Sequence, residues 1–491
     1  MSGTLRVLQV ASEAFPLVKT GGLADVVGAL PSALAREGIE IRTLLPLYPA
    51  VAARLERATP VRELGELMGG PARLLEGEAA GLTLFLLDAP HLFDRPGGPY
   101  QTADGADWPD NAQRYAALAW AARELGLGAL DSWRPAVVHA HDWQAALAPA
   151  YLAFADGPRP ATVTTVHNLA FQGQFPASLL GELRLPESAF TIDGFEYYGA
   201  IGFLKAGLVY ADRLTTVSPT YAREITTPAF GMGLDGVLRL RADRLVGIVN
   251  GIDETVWDPA HDAALPAPFD ADRLEVREAS RRELCARLGL EEDQGPLFAA
   301  VTRLSWQKGL DLLLEALPRL LALGGRLTLL GAGEAALEGA FREAARGHPG
   351  RVACRIGYDE ELAHLIQAGA DVILVPSRFE PCGLTQLCAL RYGAVPIVAR
   401  VGGLADTIVD ANDAALADGV ATGIQFAPVT VEALIDALER AVALWRDRPR
   451  WRALQRRGMT RRVGWSARAA AYARLYRELA AAPADARSQD R

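Results

Sequence analysis

Cysteine is scarce in this sequence. Four occur in 491 residues, Cys285, Cys354, Cys382 and Cys388. None forms a C-x-x-C pair, so neither a disulfide framework nor a zinc knuckle is expected, and reduced thiols in a cytoplasmic setting are. No apolar run approaches the roughly 18 residues of a membrane span. The opening "MSGTLRVLQVASEAFP" lacks the basic and long apolar regions of a signal peptide and reads as a first strand. Positive charge is also in deficit: 50 Lys and Arg stand against 59 Asp and Glu, a net of −9. That balance argues against broad nucleic-acid or anionic-membrane binding. Any anion bound here must meet locally placed positive charge. A GxxxxGK[ST] phosphate loop is missing, as is a GxSxG nucleophile elbow. The glycines of "LLGAGE", 329–334, do not make a GxGxxG fingerprint.

What is present is globular. Half of the residues are hydrophobic and 22% are charged. The length exceeds one ordinary core, so two or more domains are expected. Strand candidates in the first half are "RVLQVAS", "IEIRTLLP", "LTLFLLDA", "AVVHAHD", "ATVTTVHN", "DRLTTVS" and "LVGIVNG". In the second half they are "LFAAVTRL", "GRLTLLGAG", "RVACRIGY", "DVILVPS" and "VPIVARVG". They are Val/Ile/Leu-rich without alternation, as strands buried on both faces are, and helical stretches separate them. The pattern predicts an α/β protein of two doubly wound, Rossmann-like domains with parallel sheets. The polar, Pro-bearing stretch 250–272 reads as the linker. The first domain is expected over 1–250, joined by a returning helix at 465–480, and the second over 257–462. The tail "AAAPADARSQDR" reads as frayed.

The motif "GGLAD" occurs twice, at Gly21–Asp25 and at Gly402–Asp406. A Gly-Gly turn allows close backbone approach to a ligand, and the helix start behind it favours anions. One such loop per domain would grip a phosphate-bearing substrate from two sides. Alternatively, each Gly-Gly makes only a tight strand–helix turn. Polar groups gather at other strand ends as well: His139, His141 and Asp142; His167 and Asn168; Arg303 and Lys308; Arg378 and Glu380. In doubly wound sheets ligands bind at such ends. His139 and His141 share a strand face, but no third His or Cys lies nearby and catalytic zinc takes three protein ligands, so no metal is expected.

Taken together, "KTGGLADVVGALP", "HAHDW", "TVHNLAFQG", "FLKAGLVYADRLTTVSPTYAREI", "GLDGVL", "NGID", "TRLSWQKGLDLL", "GYDEELAHLIQAGADVILVPSRFEPCGLTQL" and "GGLADTI" resemble bacterial glycogen synthase, the ADP-glucose-dependent family that includes plant starch synthases. The resemblance runs in order from the N-terminus to about residue 475. It implies the two-domain GT-B fold with the active site in the cleft between the domains. It also implies transfer of glucose from ADP-glucose to the non-reducing end of an α-1,4-glucan, with retention and release of ADP. The partners implied are that donor and a glycogen acceptor, with no cofactor, metal, nucleic acid or membrane. Side-chain cations can neutralise a leaving diphosphate directly.

The resemblance also implies roles. Arg303 and Lys308 would stabilise departing ADP, with backbone donors of Gly383, Leu384 and Thr385 at the distal phosphate. Lys19, in a loop with Gly21 and Gly22, would sit near the phosphates and sugar, and Asp25 would contact ligand or hold that loop. Asn250 would help close the site, and Tyr358 would stack on adenine. His167 would lie against the transferring glucose, Glu380 would hold its hydroxyls, Asp142 would support the acceptor side, and Tyr100 would be a cleft contact. Cys388 stands where many transferases of this fold carry a second Glu that holds the ribose, so that contact is unassigned. No carboxylate nucleophile is evident, and a front-face mechanism suits the family better than double displacement. Alternatives are another GT-B transferase using a donor such as UDP-glucose, a phosphorylase, for which no pyridoxal-phosphate lysine segment is evident, and a non-catalytic glucan-binding protein.

Overall fold

Apolar runs without alternation become strands covered on both faces, and the computed structural model, which describes residues 4–292 and 295–482, has them at the predicted places. Most of the tail read as frayed, 483–491, lies outside the described residues. The chain divides into two units: one takes the chain through Asn250 and again from Trp465, the other Gly251–Gly464.

The first unit holds β1 (Leu5–Val10), β2 (Ile39–Pro46), β3 (Arg57–Glu66), β4 (Pro71–Ala79), β5 (Leu82–Asp88), β6 (Val137–His141), β7 (Ala161–Val166), β8 (Gln174–Pro176), β9 (Glu196–Tyr197), β10 (Ala200–Gly202), β11 (Arg213–Thr216) and β12 (Leu245–Gly247). Nine of these form one sheet in the order β12-β11-β7-β6-β1-β2-β5-β4-β3. The β12-to-β5 part is parallel, whereas β4 and β3 add an antiparallel edge. A second small sheet, β8-β10-β9, is antiparallel. The sequence reading omitted β3 and β4. Strand β3, "RATPVRELGE", is charged, carries Pro60 and is almost wholly exposed, so it has no apolar run to betray it.

The helix Gly22–Ala35 buries Leu23, Val26, Val27, Leu30 and Leu34, a spacing that puts one apolar stripe on the sheet. The last helix, Ser466–Ala481, buries Ala469, Tyr472, Ala473, Tyr476 and Leu479. Those side chains share a core cluster with Val26, Leu30, Val137 and Val163.

The second unit is a six-stranded parallel sheet built from β13 (Leu297–Val301), β14 (Arg326–Gly331), β15 (Val352–Ile356), β16 (Val372–Val375), β17 (Val395–Ala399) and β18 (Ile424–Phe426). Its order is β15-β14-β13-β16-β17-β18. Winding therefore reverses between β13 and β16. The segment 250–272, read as a linker, is packed chain from Gly251 onward. Trp257 stacks on His364 with centroids 3.9 Å apart, Asp262 accepts hydrogen bonds from His364 and from the Tyr392 hydroxyl, and Phe269 is buried.

Candidate active site

Where winding reverses, the loops leaving two neighbouring parallel strands part company and leave a crevice at their carboxyl ends. In the second unit those loops are "TRLSWQKG" after β13 and "PSRFEPCG" after β16. Gly309, with φ of 64°, ends the first loop, and a Cβ there would stand 2.0 Å from the Pro376 carbonyl oxygen, so only glycine lets the loops touch. Three further contacts bind them. Arg378 makes a two-pronged ion pair with Asp311 at 2.7 and 2.6 Å. The Arg378 amide donates to the Gln307 carbonyl at 2.8 Å, and Gln307 Nε2 donates to the Phe379 carbonyl at 3.2 Å.

This brace holds a compact charged group. Lys308 Nζ donates to Glu380 Oε2 at 2.6 Å, and Ser377 Oγ donates to the same oxygen at 2.9 Å. Glu380 is buried, and its Oε1 has no partner among the described residues. The sequence reading gave Lys308 to the phosphates and Glu380 to the sugar as separate duties; the fold pairs them. Arg303, two residues beyond β13, is exposed and carries no side-chain partner among the described residues. Tyr358 follows Gly357 after β15, and its ring is 76% exposed, with the hydroxyl on Glu360. Gly383 takes φ of 72°, Leu384 caps the short helix Thr385–Arg391, and Thr385 opens it. Cys388 is buried on that helix and supplies no carboxylate.

The second "GGLAD" adjoins this group, and its glycine has an internal reason. Gly403 donates its amide to the carbonyls of Glu380 (3.0 Å) and Pro381 (3.1 Å). A Cβ on Gly403 would lie 2.3 Å from the Cys382 carbonyl oxygen. In the first copy the leading glycine, Gly21, is open: a Cβ there meets nothing within 4 Å. Both copies begin helices, Gly22–Ala35 and Gly402–Thr407.

In the first unit winding reverses between β1 and β6. The chain leaving β1 carries Ser12 and Glu13, the latter 3% exposed. Glu13 accepts from the Thr20 amide and hydroxyl and from the Tyr100 hydroxyl at 2.9 Å, while Tyr100 also meets Ser12 Oγ at 2.8 Å. Burial raises the Glu13 carboxyl above its usual range in spite of those bonds. Tyr100 thus pins the loop from within. Asp25 pairs with Lys19 at 2.9 Å, so it holds the loop. Glu13 escaped the sequence reading; a lone carboxylate three residues past a strand, in the apolar stretch "ASEAFP", was the available signal.

Beyond β6, Asp142 adopts φ of 54° and accepts the His167 amide at 2.6 Å. Burial pushes its carboxyl up to about 7, against backbone hydrogen bonds from His167 and Asn168 that lower it. Asp142 is therefore what fixes the loop bearing His167. His141 Nδ1 lies 2.8 Å from His167 Nε2. His139 is spoken for on both nitrogens, by Tyr476 (2.6 Å) and Thr165 (2.5 Å). Burial pushes His139 and His167 down to about 3 and lowers His141 too, so all three are neutral imidazoles. Among the described residues no group of three or more His, Cys, Asp or Glu side chains is disposed to hold a metal ion. Asn250, at the end of the unit, is buried with Oδ1 unpartnered. No described helix is long and apolar enough to cross a membrane.

Comparison with known proteins bears directly on this arrangement. Residues 6–240 match the family described as starch synthase catalytic domain, and 285–457 match glycosyl transferases group 1. A glycogen synthase of Rhodopseudomonas palustris (strain BisA53) is 61% identical over 97% of this chain and 98% of its own length. One from Methylocella silvestris is 59% identical over 97% and 99%. Among solved structures, the catalytic domain of starch synthase IV from Arabidopsis thaliana, bound to ADP and acarbose, matches with a TM-score of 0.89 and 31% identity, covering 97% of this chain and 100% of that one. Sucrose-phosphate synthase from Thermosynechococcus elongatus, 19% identical with a TM-score of 0.60, shares the fold. The chain belongs to the glycogen synthase family, glycosyltransferases of the GT-B fold.

Proposed function

We propose that this protein transfers glucose from ADP-glucose to the non-reducing end of an α-1,4-glucan, releasing ADP and retaining the anomeric configuration. The observation that carries the reading is the braced Lys308–Glu380–Ser377 group, with the exposed Arg303 on the same loop as Lys308, at the winding reversal of the second sheet. Cations fixed in position stabilise a leaving diphosphate without reorganising as charge develops. Arg303 is free to meet phosphate oxygens, and Lys308 is oriented by Glu380. Glu380 keeps Oε1 for a sugar hydroxyl, and the exposed Tyr358 ring offers adenine a flat face. The amides at Gly383–Thr385 add donors to the distal phosphate. The family resemblance gives Lys19, and the open backbone at Gly21, a place near the phosphates and sugar.

His167 would lie against the transferring glucose, in a loop fixed by Asp142. Its neutral ring leaves the backbone carbonyl as the group facing the developing positive charge. Glu380 is poorly suited to act as a nucleophile, because one oxygen is tied to Lys308 and Ser377. A front-face route, in which departing ADP takes the proton of the incoming hydroxyl, fits these groups. The four unbridged cysteines suit a reducing, cytoplasmic setting.

The test is nucleotide release from ADP-glucose and UDP-glucose, each with and without glycogen. Glycogen-dependent release of ADP is expected. Preferential release of UDP, or release that ignores glycogen, would overturn the reading.

A further inference from the structure

The turn joining β9 to β10 breaks a local rule. Tyr197 pairs with Ala200, so Tyr198 and Gly199 form a two-residue hairpin turn, and both take positive φ, 50° and 80°. Such turns favour Asn or Asp followed by Gly, because left-handed backbone is disfavoured for bulky side chains. The corresponding turn between β4 and β5 uses Ala80 at φ of 50°, with a minimal side chain. At Tyr198 the chain instead places a large aromatic ring in a disfavoured backbone state and leaves it 84% exposed. The fold gains no burial from it.

The ring is nevertheless held. Tyr197 packs edge-on against it, with centroids 4.8 Å apart at 80°. Gly233 lies beneath: a Cβ there would stand 3.7 Å from the Tyr198 ring and 2.3 Å from the Tyr197 hydroxyl. The neighbouring Met232, itself at φ of 47°, gives its carbonyl to the Tyr197 hydroxyl (2.9 Å) and to Gln172 Nε2 (3.1 Å). Gln174 Nε2 donates to Gln172 Oε1 at 3.1 Å, so a short chain of amides runs beside the rings. Gln172 follows the half-exposed Phe171 on the loop that starts at His167 and Asn168. Glu196 is turned onto the Gly199 amide at 2.6 Å, and Asp235, whose charge reaches Tyr197, is paired with Arg239.

Flat rings with adjoining amides, and with Glu196 and Asp235 already engaged, suit a neutral, hydroxyl-rich ligand with an apolar face, which describes a glucose ring within a chain. We infer that Tyr198, with Phe171, Gln172 and Gln174, forms a platform on which an α-glucan chain rests, away from the reacting sugar. The inference rests on the proposed acceptor and assigns the platform to that same loop. Backbone strain at Tyr198 is then the cost of displaying its ring.

Full-length protein is run through native gels containing increasing glycogen, as wild type, Tyr198→Asn and Tyr198→Phe, and melting temperatures are recorded. Asn suits the turn better than Tyr, so Tyr198→Asn should melt at or above the wild-type temperature while its glycogen Kd weakens about 3- to 10-fold, as loss of one aromatic contact does. Tyr198→Phe should bind like wild type. Unchanged retardation of Tyr198→Asn would make Tyr198 a turn residue only and overturn the platform. A fall in melting temperature alongside weaker binding would also overturn it, since the ring would then serve the fold. Failure of the glucosyl-transfer reading shows separately, as absence of glycogen-dependent ADP release by the wild type.

Discussion

At the residue scale the proposed chemistry leans on a single ion pair. Lys308 and Glu380 share a short contact at a largely buried site, and removing either strands the other without its partner. Lys308→Ala should lower kcat by roughly 10²-fold, the scale of losing one fixed electrostatic donor. Glu380→Ala should be comparably damaging, because Lys308 then loses its orientation. The double variant should fall no further than the worse single, since coupled residues are not additive. Steady-state ADP release by the three variants decides this. Losses that multiply would mean that the two side chains act independently and that their contact is incidental. Arg378→Ala offers a contrast: its partner is Asp311, so its effect should be traced to the brace between the loops.

At the element scale, Gly21 and Gly403, the first glycine of one "GGLAD" turn and the second of the other, meet different surroundings. Gly403 touches the Cys382 backbone, and a methyl group there forces the helix start away from the loop carrying Glu380. Gly403→Ala should therefore cost about 1–3 kcal/mol, the range for overpacking. Gly21→Ala should leave the melting temperature unchanged, since a Cβ there meets nothing within 4 Å, and, on the proposed reading of its loop as donor-binding, raise the KM for ADP-glucose. Melting curves and KM values for the two variants check this; a destabilised Gly21→Ala or a fully stable Gly403→Ala would reverse the assignment. The sequence could show that the motif recurs but not which of its glycines is packed against a neighbour. What was legible was whatever one strand writes on its own: buried runs such as "AVVHAHD" and "DVILVPS", and polar residues just past their ends. What was not legible either lacked an apolar run or depended on contact across long separations. The consecutive strands β3 and β4 are of the first kind, since β3 is charged and exposed, whereas the Tyr100–Glu13 contact and the Lys308–Glu380 pair join distant segments with no local signature of their meeting.

Across the whole molecule, titration should act in opposite directions on the two units. In the first unit His139 is held neutral, its folded pKa pushed by burial to about 3, below the ordinary 6.5 of the unfolded chain. Its contribution is present above pH 6.5 and is lost as pH falls below that, because the unfolded chain then binds the extra proton. In the second unit burial would lower His364, but its hydrogen bonds to Asp262 and Glu360 prevail and raise it to about 9. Its contribution is complete below pH 6.5 and is lost as pH rises towards 9. Variants isolate each term from the other titrating groups. The stability gap between wild type and His364→Gln should shrink from pH 6 to pH 9.5, and the gap for His139→Gln should shrink from pH 7.5 to pH 4.5. Hydrogen exchange resolved by peptide assigns each change to its unit: Gly251–Gly464 for His364, and the segments through Asn250 and from Trp465 for His139. The His139 effect should extend to the last helix, because Tyr476 holds its Nδ1 from there. Gaps that stay constant with pH, or that move in the same direction for both variants, would show that these imidazoles do not carry the charge states their surroundings impose.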